Sequence, residues 1–274
     1  MAVAFALITA LAWGLLEVLL LRAAKRTTAF VLGLWMSALG VALTLPFAVA
    51  LEPVPDLSGW AFATVPGVLA VIGSLLYWQA LRVGKLSVVS PTVAMNAGLA
   101  AVLAVVLLGE ELSTPQVVGL GAAVAGVVLA SAGRGWGTTG VAWAVPSALV
   151  LGFYTIGLAL SVERVGVFWA VLAYRVTGVV ILGVIVAAQR ARARLDPTIR
   201  NAVVSAAILD TIGFVSLSYA FSIGSVAVVA VVSAQFSTVA VVLAAIVLHE
   251  RLLARQWAGV ALVLVATAVL SAIR

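Results

Sequence analysis

The sequence predicts an all-α integral membrane protein whose ten transmembrane helices form two inverted five-helix repeats. Three observations carry that prediction. Of 274 residues, 65% are hydrophobic and only 9% charged, with mean hydropathy +1.30, whereas a soluble domain carries roughly a quarter charged residues. The apolar runs are each about 20 residues long, the length of a helix across a bilayer. The third observation is that the chain repeats itself at a spacing of 140 residues.

Polar breaks mark the spans in order. The first covers roughly 2–21 and ends at RAAKRT; the second, 28–50, ends at EPVPDLSG. RVGK parts the third, 60–81, from the fourth, 86–108, and GEEL parts the fourth from the fifth, 114–132. GRGWGTTG leads into the sixth, 139–161, and VERVG separates it from the seventh, 166–189. A basic break, QRARARLDPTIR, precedes the eighth, 201–221. SIGS then leads to the ninth, 225–248, and HERLLAR to the tenth, 256–273. Several runs are rich in Val and Ala, but their length and lack of alternation favour helices over barrel strands. The first run lacks a basic leader and contains Glu17, so it reads as a retained helix rather than a signal peptide.

The repeat rests on residues that chance apolar composition would not place in register. Shifted by 140, Ala80, Gly84, Ala94, Leu108, Glu110, Leu112, Gln116 and Gly119 recur as Ala220, Gly224, Ala234, Leu248, Glu250, Leu252, Gln256 and Gly259. The first repeat covers 1–134 and the second 135–274. Each holds an odd number of helices, so the second enters the membrane from the opposite side. Such inverted repeats are typical of secondary transporters, with solute held near mid-membrane between the halves.

Ten spans also sort the basic residues. One side receives Arg22, Lys25, Arg26, Arg82, Lys85, Arg134, Arg190, Arg192, Arg194, Arg200, Arg251 and Arg255; the other receives only Arg164 and Arg274. That bias predicts the richer side in the cytoplasm and both termini outside the cell membrane. It also accounts for the net charge of +6 without nucleic acid. The chain has no Cys and one His, His249, which excludes disulfides, thiol chemistry and a Cys- or His-rich metal site. No cofactor or metal is expected. GLGAAVAG (119–126) has the wrong spacing for a nucleotide loop, and its small residues suit close helix packing.

The Trp13-Gly14 pair, the GEEL and HERL turns, Gly119 and Gly259 resemble the drug/metabolite transporter (DMT) superfamily, in particular its ten-helix EamA-type members. Arg175, in FWAVLAYRV, looks like the arginine that many such proteins carry early in the second or seventh helix. Glu17-Val18 followed by Lys25 is similar to helix 1 of the small multidrug resistance proteins, whose glutamate there is essential. The resemblance implies a transporter, not an enzyme. One departure concerns topology: EamA-type proteins usually keep their termini in the cytoplasm.

Ionisable residues inside a span are costly and face a cavity or a partner. Glu17 lies mid-run, with Trp13 four positions earlier on the same helix face. A ring beside a carboxylate can hold an organic cation, and the carboxylate can also exchange a proton. Asp210, aligned with Ala70, reads either as a second proton or cation ligand or as the partner of Arg175. Arg175 either pairs with an acid or grips a substrate carboxylate. Trp35, Trp78, Gln79, Asn96, Tyr154, Tyr219, Gln235 and Phe236 complete the candidate site. Of these, Gln79 and Tyr219 are repeat equivalents, as are Met95 and Gln235. Trp60, Trp136, Trp143, Trp169 and Trp257 read as interfacial anchors, and the GEEL and HERL turns as turns or helix caps.

These residues predict a secondary transporter in the cytoplasmic membrane, the inner membrane of a two-membraned cell. It moves a small organic metabolite or organic cation by alternating access, coupled to protons or to exchange. The alternative solute is an exported amino acid, its carboxylate held by Arg175. A membrane-embedded lipid enzyme and a non-transporting scaffold are the remote readings. The partners are then the solute, protons and the lipid bilayer. One chain already holds both halves, so a monomer suffices, and a homodimer stays open.

Overall fold

The computed structural model describes residues 1–131, 139–190, 194–247 and 253–272. Trp136 and the His249–Glu250 pair of the second turn motif lie outside these residues. Among the described residues, every regular element is a helix. In chain order they are α1 (Ala2–Ala24), α2 (Ala29–Leu51), α3 (Leu57–Val83), α4 (Leu86–Ala94), α5 (Asn96–Leu108) and α6 (Thr114–Ser131). Then follow α7 (Thr139–Val165), α8 (Val167–Ala188), α9 (Pro197–Ile223), α10 (Val226–Ser233), α11 (Phe236–Val247) and α12 (Ala254–Ala272). Among the described residues, eight segments are long and apolar enough to cross a membrane, counting α4–α5 and α10–α11 as one each. The predicted fifth and tenth spans are α6 and α12, of 18 and 19 residues, packed on each other.

The fourth and ninth spans differ from the sequence expectation, because each is broken. The breaks fall at Met95 and at Ala234–Gln235, 140 residues apart and at matching positions. Irregular backbone at membrane depth is tolerated only where protein or a cavity surrounds it. Accordingly, every residue of α4 and of α10 is buried. Side-chain amides meet the freed carbonyls: Asn96 donates to the Val93 carbonyl at 2.8 Å, and Gln235 donates to that of Val231 at 3.2 Å. Pro91 removes one helix bond upstream of the first break. The second break has no nearby proline, so tertiary packing enforces it.

The strongest helix contacts join the two halves of the chain. These are α1 with α9, α3 with α7, α2 with α8 and α6 with α12. Close approaches allow this: a Cβ on Gly14 would overlap Val239, and one on Gly213 would overlap the Trp13 indole.

Two carboxylates bolt the halves together at one end of the bundle. Glu52, just after α2, accepts from the amides of Val167, Phe168 and Trp169 at 2.8, 3.0 and 3.2 Å, capping α8. Gly166 makes the one-residue α7–α8 turn at φ 92, and a side chain there would strike this carboxylate. Glu110 of the GEEL turn accepts from Val226 N at 2.5 Å, Ala227 N at 3.1 Å and Ser225 Oγ at 2.7 Å, capping α10. Gly109, at φ 69, ends α5 just before it. Trp169 departs from the anchor reading. It is buried, its indole donates to the Glu52 carbonyl, and it packs edge-on against Trp60. Trp143 and Trp257 do stay exposed, at 41% and 48%.

Elsewhere Thr28, Asp56 and Asp196 cap the starts of α2, α3 and α9. The Gly59 amide, then the Ser58 hydroxyl, hold the Asp56 carboxyl below the usual carboxylate range, and the Thr198 amide does the same for Asp196.

An anion at a helix N-terminus stabilises by about 0.5–2 kcal/mol through its amide bonds and the helix dipole. Replacing Glu110 with Ala therefore lowers the thermal unfolding midpoint in detergent. The same change at its exposed neighbour, Glu111, leaves that midpoint in place.

Candidate functional site

Between α1, α3, α7 and α9 lies a cavity of about 110 Å³. Its wall includes both helix breaks, through Val93 and Asn96 on one side and Ser233, Ala234 and Phe236 on the other. Two charged groups line it, Glu17 and Asp210, and the rest of the wall is mainly aromatic and apolar.

Glu17 is 1% exposed. Its Oε1 accepts a short hydrogen bond from the Tyr77 hydroxyl on α3, and the buried Ser90 hydroxyl of α4 lies beside the same carboxylate. One turn earlier on α1, Trp13 meets Phe214 and Phe236 edge-on, with ring centroids 4.9 and 5.8 Å apart. Thr9 donates to the Gly213 carbonyl at 3.1 Å and pins α1 to α9 at that level. The Trp13 indole N–H has no hydrogen-bond partner and lies on the cavity wall.

Arg175 stands behind the wall rather than in it. It is 0% exposed, and its Nη1 pairs with Asp210 Oδ2 at 2.8 Å. Its guanidinium lies over the Tyr174 and Phe214 rings, 4.8 and 4.9 Å from their centroids. From α2, Gly40 leaves room for it, since a Cβ there would reach the guanidinium stem at 2.6 Å. Its Nε and Nη2 make no hydrogen bond. Tyr154, Tyr174 and Phe214 form a continuous aromatic panel over this pair, with centroids 5.1–6.2 Å apart.

Of the sequence candidates, Trp13, Glu17, Trp78, Asn96, Tyr154, Asp210 and Phe236 line the one cavity. The others lie elsewhere. Trp35 flanks the apolar cluster around Trp78, and Gln79 is half-buried away from the void. Tyr219 is 43% exposed and stacks on Phe5. Gln235 spends its amide within its own break and borders a smaller void with Met95. Sequence reasoning passed over Tyr77, Tyr174 and Phe214 as site residues. The signal for Phe214 was available: it lies four residues beyond Asp210, the same spacing that joins Trp13 to Glu17. Among the described residues, no cluster of His, Asp or Glu could hold a metal ion.

The model of the EamA-like transporter family matches residues 1–132 and again 138–272. An uncharacterised protein of Methanocaldococcus jannaschii is 37% identical over 70 residues, which are 26% of this chain and 51% of that protein. The chain thus spans about half the length of that relative. A solved structure, described only as a crystal structure of a protein, superposes with a TM-score of 0.77 at 18% identity. It covers 98% of this chain and 95% of its own, and shares the fold.

Packing at Gly213 supports the Trp13 wall. Gly213→Ala forces a Cβ into the indole and costs about 1–3 kcal/mol. Gly121→Ala, with nothing within 4 Å, is neutral or stabilising. Thermal unfolding of the two purified variants checks the contrast.

Proposed function

The chain belongs to the EamA-like transporter family of the DMT superfamily, and on that premise we propose that it carries a small organic cation by alternating access in exchange for protons. One observation carries the reading: Glu17 sits buried in a mid-span cavity whose other walls are aromatic rings and broken helices. A buried carboxylate must be neutralised by something. A proton or a solute cation can do it, and both compete for one place, which couples their movement. The rings of Trp13, Trp78 and Tyr154 add attraction for a flat or methylated cation. Tyr77 holds Glu17 in place and offers its hydroxyl as the route by which a proton reaches it.

The two halves, 1–134 and 135–274, act as inverted repeats related by a pseudo-two-fold axis in the membrane plane. Matching breaks at Met95 and Gln235 support this, as does the family model's double match. The two halves rock around the cavity, and the Glu52 and Glu110 caps close one end of it. By the Lys/Arg bias that end faces outward, with both termini outside the cytoplasmic membrane. An amino acid as solute would need Arg175 in the cavity. It is fully buried behind Tyr174 and Phe214, which favours a cation without a carboxylate.

Proton release decides between these solutes. In weak buffer, quaternary and primary amines release protons from the purified protein, and Glu17→Gln abolishes the release. Amino acids binding equally to both forms without proton release would overturn the reading. Orientation has its own check, since the chain has no Cys. A membrane-impermeant maleimide labels Glu111→Cys in intact cells and leaves Lys85→Cys unlabelled until the membrane is opened.

A further inference from the structure

We infer that Arg175 is a built-in counter-charge that sets the valence of the solute, tuning the cavity for cations with a single positive charge. The inference rests on the organic-cation reading above and deepens it.

Two carboxylates face one void. Glu17 on α1 and Asp210 on α9 are its charged lining groups. The two helices pack side by side, and six spans lie between them, so they run antiparallel. Trp13, one turn before Glu17, touches Phe214, one turn after Asp210. Both carboxylates therefore lie to the same side of that ring contact and line the same cavity. Left alone they would present two negative charges and suit a dication.

Arg175 changes that count. Its guanidinium stays charged in a protein and lies 2.8 Å from Asp210 Oδ2. It is fully buried, held over two rings and backed by Gly40, so it is fixed in place behind the wall. Asp210 stays in the cavity lining with its charge cancelled from behind, and Glu17 is left as the one uncompensated charge. A monovalent cation leaves the site neutral. A dication leaves it with an excess charge in a poorly screened interior, where a charge imbalance is far costlier than in water. Sequence symmetry did not demand this arrangement: Asp210 aligns with Ala70, Glu17 with Gly157 and Arg175 with Trp35.

The test uses two ligands of one ring skeleton that differ in charge: N-methyl-4-phenylpyridinium, with one, and N,N′-dimethyl-4,4′-bipyridinium, with two. Binding is measured by calorimetry on the full-length protein in detergent. Wild type binds the monocation at least ~10-fold more tightly. Arg175→Met gains at least ~10-fold for the dication and reverses the preference. The double variant Arg175→Met/Asp210→Asn restores the wild-type count and the monocation preference, and it decides the matter if the single variant does not fold. Equal binding of both ligands by wild type overturns the inference. So does a folded Arg175→Met with unchanged preference, or a double variant that loses the monocation. Binding of neither ligand by wild type defeats the organic-cation reading and this inference with it. Monovalent binding without the valence shift defeats the inference alone.

Discussion

A helix interrupted inside a bilayer leaves backbone amides and carbonyls that lipid cannot satisfy, and this constraint organises the molecule. The interruptions at Met95 and at Ala234–Gln235 can exist only where protein surrounds them, so α4 and α10 lie at the centre, buried on every side. Other helices must then wrap them, and the break points themselves cannot pack as tightly as continuous helix. The void forms there. Glu17 and Asp210 are tolerable at mid-membrane because they project into it from α1 and α9.

Much of this was legible in the sequence, for reasons that can be named. Span positions follow from apolar length, which lipid enforces strictly. The repeat was visible because Glu110, Gln116 and Gly119 recur in register among residues that carry little other information. Glu17 and Trp13 stood out because a carboxylate is rare in such a run and four residues is one helical turn. The helix breaks were hidden. VVSAQFS contains nothing that forbids a continuous helix, so the break there is made by neighbours distant in sequence. The separation of site residues from packing residues was hidden too. Tyr219 and Tyr154 look alike in a run of apolar residues, yet one stacks on Phe5 near the surface and the other lines the void. Arg175 with Asp210 was one of two alternatives, and only the fold puts them 2.8 Å apart.

One end of the bundle is held by bonds that cross between the halves. Glu52 and Glu110 reach from the first half to the starts of α8 and α10 in the second. In the 140-residue register Glu110 recurs as Glu250, whereas position 52 has Arg192 as its counterpart, so the Glu52 acid is not repeated in the sequence.

The cross-half pairing of helices also bears on how the protein is made. α1 leaves the ribosome first, but its principal partner, α9, comes some 200 residues later, as the Thr9–Gly213 bond spans 204 positions. α6 likewise waits for α12. Until α9 and α11 are inserted, α1 rests in the bilayer with its Trp13 face uncovered, and assembly cannot proceed half by half. Long-range closure of this sort slows folding and lengthens the life of exposed intermediates. Biogenesis of this chain thus depends on its final helices, and a nascent chain stalled before α9 gives quality-control machinery an unfinished surface to recognise.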